Sequence, residues 1–168
     1  MHDHSAELIA CIPRLRRYAR ALVGDRTAAD DLVQDTLERA WSKLGLWQRG
    51  TDMRAWLFGI MHNIRINQVR KPVLPTVPLE EEDIERAGAT TENGRLDMRD
   101  LESALKLLPV EQREVLLLVA LENLTYEEVA VALGIPSGTV MSRLARGREK
   151  LRAIMEGTAR VSPLKVVK

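Results

Sequence analysis

Residues 124–152, LTYEEVAVALGIPSGTVMSRLARGREKLR, constrain the fold of this chain more than any other stretch. Thr125, followed three residues later by Glu128, predicts a capping box at the start of a short helix. Gly134 suits the left-handed residue that ends such a helix, and the proline two residues later prevents a simple continuation. Ser137 is the predicted N-cap of a second helix. Two short helices joined by a tight turn that contains glycine predict a helix-turn-helix.

The second helix of this motif is basic and amphipathic. It carries five Lys or Arg against one Glu, and Val140, Leu144 and Leu151 lie on one side of it. A helix-turn-helix inserts the N-terminal part of this helix in the major groove, where Arg pairs bidentately with guanine. A solvated basic face is the alternative interpretation, but the agreement of caps, turn and apolar spacing favours DNA binding. The outward positions are Ser142, Arg143, Arg146 and Lys150, flanked by Arg148 and Arg152.

The middle of the chain has a different composition. Residues 71–95 hold three prolines, then four consecutive acidic residues, then a tract rich in Gly, Ala, Thr and Asn. Residues 73–100 carry 3 Lys or Arg and 8 Asp or Glu, a net of −5, whereas residues 1–72 have a net of +4 and residues 101–168 a net of +2. This pattern predicts a flexible acidic linker between two helical blocks, because such a long loop is rare inside a compact domain.

Both flanking blocks show helical periodicity without alternating β-branched runs, which predicts an all-α protein. In the first block we expect helices over residues 5–23, about 27–44 and 53–69, with a capping box from Thr27 to Asp30 at the start of the second. Trp41 and Trp56 are expected in the core. Leu57, Ile60, Met61 and Ile64 are predicted to point inward from the third helix.

Several classes of function find no support in these residues. Cys11 is the single cysteine, so neither an internal disulfide nor a cysteine-based zinc site is expected. His2 and His4 lie near a terminus and are read as incidental, His62 lacks ligand-spaced partners, and no catalytic or phosphate-binding motif occurs. We therefore expect no enzyme activity and no cofactor. No apolar run reaches the roughly 18 to 20 residues that span a bilayer, and the start is not a signal peptide, so a soluble, intracellular protein is expected.

The motifs resemble a known family. LPVEQREVLLLVALENLTYEEVAVALGIPSGTVMSRLARGREKLR is similar to the C-terminal promoter-binding domain of bacterial sigma factors of the extracytoplasmic-function group. AADDLVQDTLERAWSKL and DMRAWLFGIMHNIRINQVRK resemble the N-terminal domain of that group. The resemblance implies two small helical domains: a sigma-2-like domain over residues 1–71 and a sigma-4-like helix-turn-helix domain over residues 97–155. Residues 72–96 would be the linker, and residues 156–168 a disordered tail.

The resemblance also implies a function and partners. Such proteins bind the clamp coiled coil and the flap of core RNA polymerase, direct it to promoter DNA, and aid promoter opening. The chain would be a monomer when free and cytoplasmic, silenced by an anti-sigma factor that can hold it near the membrane without membrane insertion. The alternative is an ordinary helix-turn-helix regulator whose N-terminal block is a sensor or dimerisation domain, which predicts a stable dimer.

Site residues follow from the same resemblance. The predicted polymerase-binding residues are Asp31, Gln34, Asp35, Glu38 and Arg39. The predicted −10 contacts are Trp47, Gln48, Arg49, Arg54, Asn63, Asn67 and Arg70. The predicted −35 contacts are Ser137, Thr139, Met141, Ser142, Arg143, Ala145, Arg146, Arg148 and Lys150. Aromatic and amide side chains suit unstacked bases, and Arg suits phosphates. Because many relatives have Arg or Lys in place of Met141, and some have a larger side chain in place of Ala145, base readout is expected to depend more on Ser142 and Arg146.

Overall fold

The computed structural model describes residues 4–48, 50–70 and 93–157, and within these ranges the secondary structure is entirely helical. The prediction of an all-α fold is confirmed. The first domain contains α1 (Ser5–Val23), α2 (Arg26–Ser42), a 3-10 helix (Leu44–Leu46) and α3 (Met53–Arg70). The second contains α4 (Asn93–Lys106), α5 (Val110–Ala120), α6 (Tyr126–Leu133) and α7 (Ser137–Gly157). The predicted linker falls outside the described residues up to residue 92, and the predicted tail does so from residue 158.

The α1–α2 connection is tighter than the sequence suggested. Gly24 ends α1 with a left-handed φ of 80° and donates its N–H to the Arg20 carbonyl. Asp25 follows directly as the N-cap of α2, and its side chain accepts from the N–H of Ala28 at 3.0 Å. The predicted capping box from Thr27 was therefore wrong. Asp is among the most favourable N-cap residues. Because Asp25 directly follows the glycine that ends α1, it caps α2 two residues before Thr27 could do so.

The core of the first domain forms where α1, α2 and α3 meet. Leu15 and Leu22 of α1 are fully or almost fully buried, and the rings of Tyr18 and Phe58 lie 4.7 Å apart between centroids. The inward positions predicted for α3 are confirmed as buried: Leu57, Ile60, Met61 and Ile64. This packing fixes the orientation of α2 and α3 and hence of the polar faces that they expose.

The tryptophans of the first domain are distributed differently from the prediction. Trp41 is 62% exposed, so its assignment to the core was wrong, whereas Trp56 is partly buried against the core as expected. Ala40 takes the core position in the last turn of α2, which turns Trp41 outward. Trp47 is only 8% exposed and makes an edge contact with His4 at 4.8 Å between ring centroids.

The helix-turn-helix of the second domain is confirmed by its local geometry. The Thr125 hydroxyl accepts from the Glu128 N–H at 3.1 Å, and the Glu128 carboxylate accepts from the Thr125 N–H at 2.9 Å. Gly134 ends α6 with φ at 66°. The first helical bond of α7 runs from the Val140 N–H to the Pro136 carbonyl, at 3.1 Å. Pro136 therefore occupies the N-cap position, and the prediction of Ser137 there was wrong by one residue.

The two domains pack directly against each other. α3 lies on α6, and α1 lies on α5 and on part of α4. The backbones approach closely at Gly59 of α3, where a Cβ atom would stand 3.2 Å from the Ala132 carbonyl oxygen of α6. The absence of a side chain at Gly59 is what permits this approach.

Candidate polymerase and nucleic-acid interface

The predicted polymerase-binding residues form one exposed surface along α2. All five of them are exposed: Asp31, Gln34, Asp35, Glu38 and Arg39. Their spacing of three and four residues places them on successive turns of one helix face. Trp41 continues this face one turn beyond Glu38, and its exposed indole was missed because a Trp at helical spacing was read as a core residue. The face therefore ends in a large apolar group beside mainly acidic ones.

A polar cleft of about 440 Å³ separates α2 from α3. It brings predicted polymerase contacts together with Asn67, one of the predicted −10 contacts. Its lining residues are Asp35, Glu38, Arg39, Ser42, Lys43, Ile64, Asn67 and Gln68. A cleft with both acidic and basic walls suits a polar ligand group and offers little to an apolar one.

The predicted −10 contacts do not form one continuous exposed surface. Asn63 and Asn67 are exposed one turn apart on α3, and Gln48 is exposed in the preceding loop. Trp47, by contrast, is buried, and its indole N–H has no hydrogen-bond partner among the described residues. Arg49 and the side chain of Arg70 lie outside the described part of the chain.

Arg54, another predicted −10 contact, is held in an ion pair. Its Nη2 and Nε donate to the two carboxylate oxygens of Asp52 at 2.8 and 3.2 Å, and its backbone N–H donates to the same carboxylate at 2.8 Å. Burial alone would raise the pKa of Asp52, but the hydrogen bonds and charge of Arg54 outweigh it and lower that pKa. The hydrogen bond with Asp52 likewise raises the pKa of Arg54. Its remaining Nη1 donates to the Glu122 carbonyl of the second domain at 3.0 Å.

The recognition helix α7 exposes most of its predicted −35 contacts. Met141 is 49% exposed. Five further residues are exposed: Ser142, Ala145, Arg146, Arg148 and Lys150. Three are half-buried: Ser137, Thr139 and Arg143. The Ser142 hydroxyl donates to the Thr139 carbonyl at 3.1 Å, which orients it along the helix. The acidic Glu149 is engaged by Arg152 at 3.0 Å near the C-terminal side of this surface.

A groove of about 980 Å³ runs between the two domains, with α1 on one side and α4, α5 and α7 on the other. Its base is apolar and includes Leu101, Leu105, Leu116, Leu117 and Leu121. Its rim is mainly cationic and includes Arg16, Arg17, Arg20, Arg26 and Lys106. Apolar residues rimmed by charges of one sign form a surface suited to an amphipathic segment of opposite charge.

The described residues contain neither a metal-binding cluster nor a membrane-spanning helix. No group of three or more His, Cys, Asp and Glu residues is placed there to hold a metal ion. His4 contacts Trp47, and His62 contacts the carboxylate of Glu114. In the part of the chain that the structure describes, no helix is both long and apolar enough to cross a membrane.

Comparison with known protein families identifies both domains. Residues 8–62 match the sigma-2 domain of PhyR, and residues 98–151 match region 4 of sigma-70 factors. Two helical domains of these kinds, the second with a helix-turn-helix, are the domain types of sigma-70-related proteins.

The chain belongs to the extracytoplasmic-function group of RNA polymerase sigma factors. It is 36% identical over 155 residues to the sigma factor EcfG of Rhodopseudomonas palustris, across 89% of this chain and 83% of that protein. RpoE of Bartonella quintana, solved in complex with the anti-sigma factor NepR, superposes with a TM-score of 0.73, 30% identity and full coverage of both chains. CnrH, solved with the cytosolic domain of CnrY, gives a TM-score of 0.64 and 30% identity over 90% of this chain and 87% of that one.

Family membership settles the choice between the two functions that the sequence left open. The chain is a transcription initiation factor that directs RNA polymerase to promoters, and the alternative of an ordinary helix-turn-helix regulator was wrong. The fold, the two domain types and the function predicted from the sequence are confirmed. The individual site residues stay predictions.

Proposed function

We propose that this sigma factor divides its contacts among three helices: α2 binds the polymerase clamp, α3 reads the −10 element, and α7 reads the −35 element. The observation that carries this proposal is the exposed polar face of α2, because this face and the exposed Trp41 beside it are not buried by any other described residues. The general test is transcription in vitro with purified core enzyme, with and without the chain. If adding the chain increased initiation at none of the promoters, the proposal would be contradicted.

The α2 face is tested by charge reversal. Replacing exposed Asp35 with Lys should weaken binding to core polymerase at least about tenfold, since a central interface residue contributes more than about 1.4 kcal/mol. Trp41→Ala should weaken it similarly, because an exposed tryptophan beside charged residues is typical of a binding hot spot. Glu156→Lys, an exposed reversal on α7, is the matched control. If all three variants bound core polymerase with equal affinity, the assignment of α2 to the polymerase interface would be refuted.

For the −10 element, exposed Asn63 and Asn67 are the principal candidates for contact with an unstacked base. Trp47 belongs to this proposal only in an arrangement where its indole leaves the pocket beside His4. For the −35 element, Arg146 and Ser142 are the candidates for base contact, and Arg148 and Lys150 for phosphate contact. Here the chain acts without cofactor or catalytic group, in the cytoplasm where the polymerase is.

We further propose an anti-sigma partner for the groove between the domains. Support comes from the two similar sigma factors solved in complex with NepR and CnrY, and from the cationic rim over an apolar base. Such a groove fits an acidic amphipathic helix. Titration with purified NepR of Bartonella quintana should show binding that Arg16→Glu, on the rim, weakens at least about tenfold. Arg14→Glu, exposed on α1 but outside the groove, should leave it unchanged.

A further inference from the structure

We propose that Met141 is a specificity-determining residue of α7, and that it recognises the 5-methyl group of a thymine in the −35 element. The inference rests on the proposed assignment of that element to α7, and it adds a base contact to those proposed for Ser142 and Arg146. At this base pair the discrimination comes from an apolar contact and not from a hydrogen bond.

The end of α7 that enters DNA carries no charge. A helix-turn-helix inserts the N-terminal part of its second helix in the major groove. In α7 this part is residues 137–142, which hold two serines, a glycine, a threonine, a valine and a methionine. Four of the five Lys or Arg of the helix lie farther along, in residues 146–152. Base readout by residues 137–142 therefore has to come from hydroxyl groups and apolar atoms.

Packing against the rest of the second domain fixes which side of α7 faces outward. Val140 and Leu144 are buried in the core. Gly147 is buried too, and a Cβ atom there would stand 3.4 Å from the Gln112 Cβ of α5. This close packing leaves α7 little freedom to rotate about its axis. Met141 is therefore held on the outer side of the helix, where it is 49% exposed.

The surroundings of Met141 leave room for a ligand group. A side chain in an α-helix lies over the turn N-terminal to its own Cα, so the Met141 side chain extends toward Gly138. Gly138 is exposed, and a Cβ atom there would have nothing within 4 Å. Ala145, one turn in the other direction, is exposed as well and has only a methyl group. Met141 is thus a large apolar side chain between two small neighbours, open to DNA.

The polar groups near Met141 are not placed to replace it. The Ser142 hydroxyl donates to the Thr139 carbonyl at 3.1 Å, so toward DNA it acts mainly as an acceptor. Thr139 and Arg143 are half-buried. Arg146 is exposed, but it lies about 140° from Met141 around the helix axis, at about 100° per residue. Its donors therefore face another part of the groove.

Thymine is the base whose major-groove edge fits an apolar side chain. Its 5-methyl group projects into that groove, where guanine and adenine offer N7 acceptors and cytosine offers an amino donor. A thioether has no hydrogen to donate to the purine acceptors and is only a weak acceptor for an amino group. Its flexible, polarisable chain packs readily on a methyl group. Burial of one such group corresponds to about a fourfold difference in affinity.

The test removes one methyl group from the DNA and leaves every hydrogen-bonding group in place. The −35 element of a promoter that depends on the chain is randomised, and the wild-type holoenzyme selects the sequences that it binds. Each thymine of the selected element, on either strand, is then replaced by deoxyuridine. In competition assays at fixed salt, one such replacement should weaken holoenzyme binding about fourfold. At the same position, 5-methylcytosine should bind about fourfold better than cytosine.

Variants of Met141 assign the effect to this side chain. Met141→Ala should bind the thymine and deoxyuridine promoters equally, whereas Met141→Leu, which keeps an apolar group of similar volume, should retain most of the ratio. Arg148→Ala is the matched control, because it should weaken binding to both promoters and leave their ratio at about four. Both positions are exposed, so the urea midpoint should shift little, which separates lost readout from lost folding.

The outcomes separate the role of Met141 from the proposed function. Three results would overturn the thymine contact: a selected −35 element without an A·T pair, equal binding of every deoxyuridine promoter by the wild-type holoenzyme, or a fourfold ratio that persists in Met141→Ala. If randomising the −35 element left holoenzyme binding unchanged, the assignment of that element to α7 would itself be refuted, and the thymine contact with it.

Discussion

The hydrogen bonds of Arg113 are expected to contribute strongly to the stability of the second domain. Its guanidinium donates to four carbonyl oxygens: those of Leu22, Leu105, Lys106 and Leu108, at 2.6, 2.8, 3.1 and 2.9 Å. Three of these carbonyls belong to the end of α4 and the turn after it, where helical N–H partners run out. Of these, the Leu105 carbonyl also accepts from the Leu108 N–H at 3.1 Å. Burial lowers the pKa of this arginine, and a neighbouring Arg65 lowers it further.

Replacing Arg113 with Met keeps the length of the side chain and removes all the donors. Lys106 is exposed, so water can replace the bond to its carbonyl, and the Leu105 carbonyl keeps its bond from the Leu108 N–H at 3.1 Å. Leu22 and Leu108, by contrast, are 1% and 2% exposed. An unsatisfied buried carbonyl costs about 1–3 kcal/mol, so the two together give a loss of about 3 kcal/mol in the free energy of unfolding. With a urea m-value of about 2 kcal/mol/M, the unfolding midpoint should fall by about 1.5 M.

The measurement is urea unfolding followed by circular dichroism at constant protein concentration. Arg113→Lys should recover less than half of the loss, because one ammonium cannot reach carbonyls on both sides as the planar fork does. Arg148→Met, an exposed substitution on α7, is the control and should shift the midpoint little. A shift below about 0.3 M for Arg113→Met, with an unchanged m-value, would refute the reasoning that these carbonyls depend on Arg113.

Three further predictions concern caps, DNA and pH. Thr125→Ala should cost about 1 kcal/mol in urea unfolding through loss of the capping box, whereas Thr27→Ala should cost little because Asp25 caps α2; equal losses would contradict this. In holoenzyme binding to promoter variants, Arg146→Ala should relax preference at one −35 base pair by about 1–3 kcal/mol, whereas Arg148→Ala should weaken all sequences alike; the reverse pattern would exchange their roles. The folded-state pKa of Asp52 lies below its ordinary value of 3.8, so its contribution to stability is present above that value and is lost as pH falls through the folded pKa. The stability difference between wild type and Asp52→Asn should therefore shrink below about pH 4, and a difference that grew on acidification would refute the assignment.

Much of the fold could be predicted because its signals are local. The capping box at Thr125, the left-handed Gly134 and the apolar stripe of α3 each depend on a few neighbouring residues, and all were confirmed. The errors arose where two local signals competed. Both Asp25 and Thr27 are good caps, and the sequence does not show which one follows the end of α1 directly.

Burial of aromatic residues was harder to predict, since it depends on the neighbouring elements. Trp41 and Ala40 both lie near the apolar stripe of α2, and the close approach of the helices selects the smaller one for the core. Trp47 is buried because His4 at the start of α1 covers it, a contact between residues far apart in the chain. No periodicity encodes such a contact.

The contacts between the domains were not predictable from the sequence at all. Glu122 stands in a short connection where an acidic residue is ordinarily solvated, and its partners Arg17 and Arg54 lie 105 and 68 residues away. Arg17 reads as surface, and Arg54 was assigned to DNA. The sequence around a charged residue does not indicate which other charged residue it will pair with. The ion pairs between the domains could therefore be identified only from the structure.

The burial of Glu122 has a consequence for the response of the chain to heat. The hydration of a carboxylate becomes less favourable as temperature rises, so the cost of keeping this group out of water falls on warming. The apolar contacts around it, among them Leu124 at 3% exposure, do not weaken over the same range. Mild warming below the melting transition should therefore tighten the contact between the two domains around Glu122 and not loosen it.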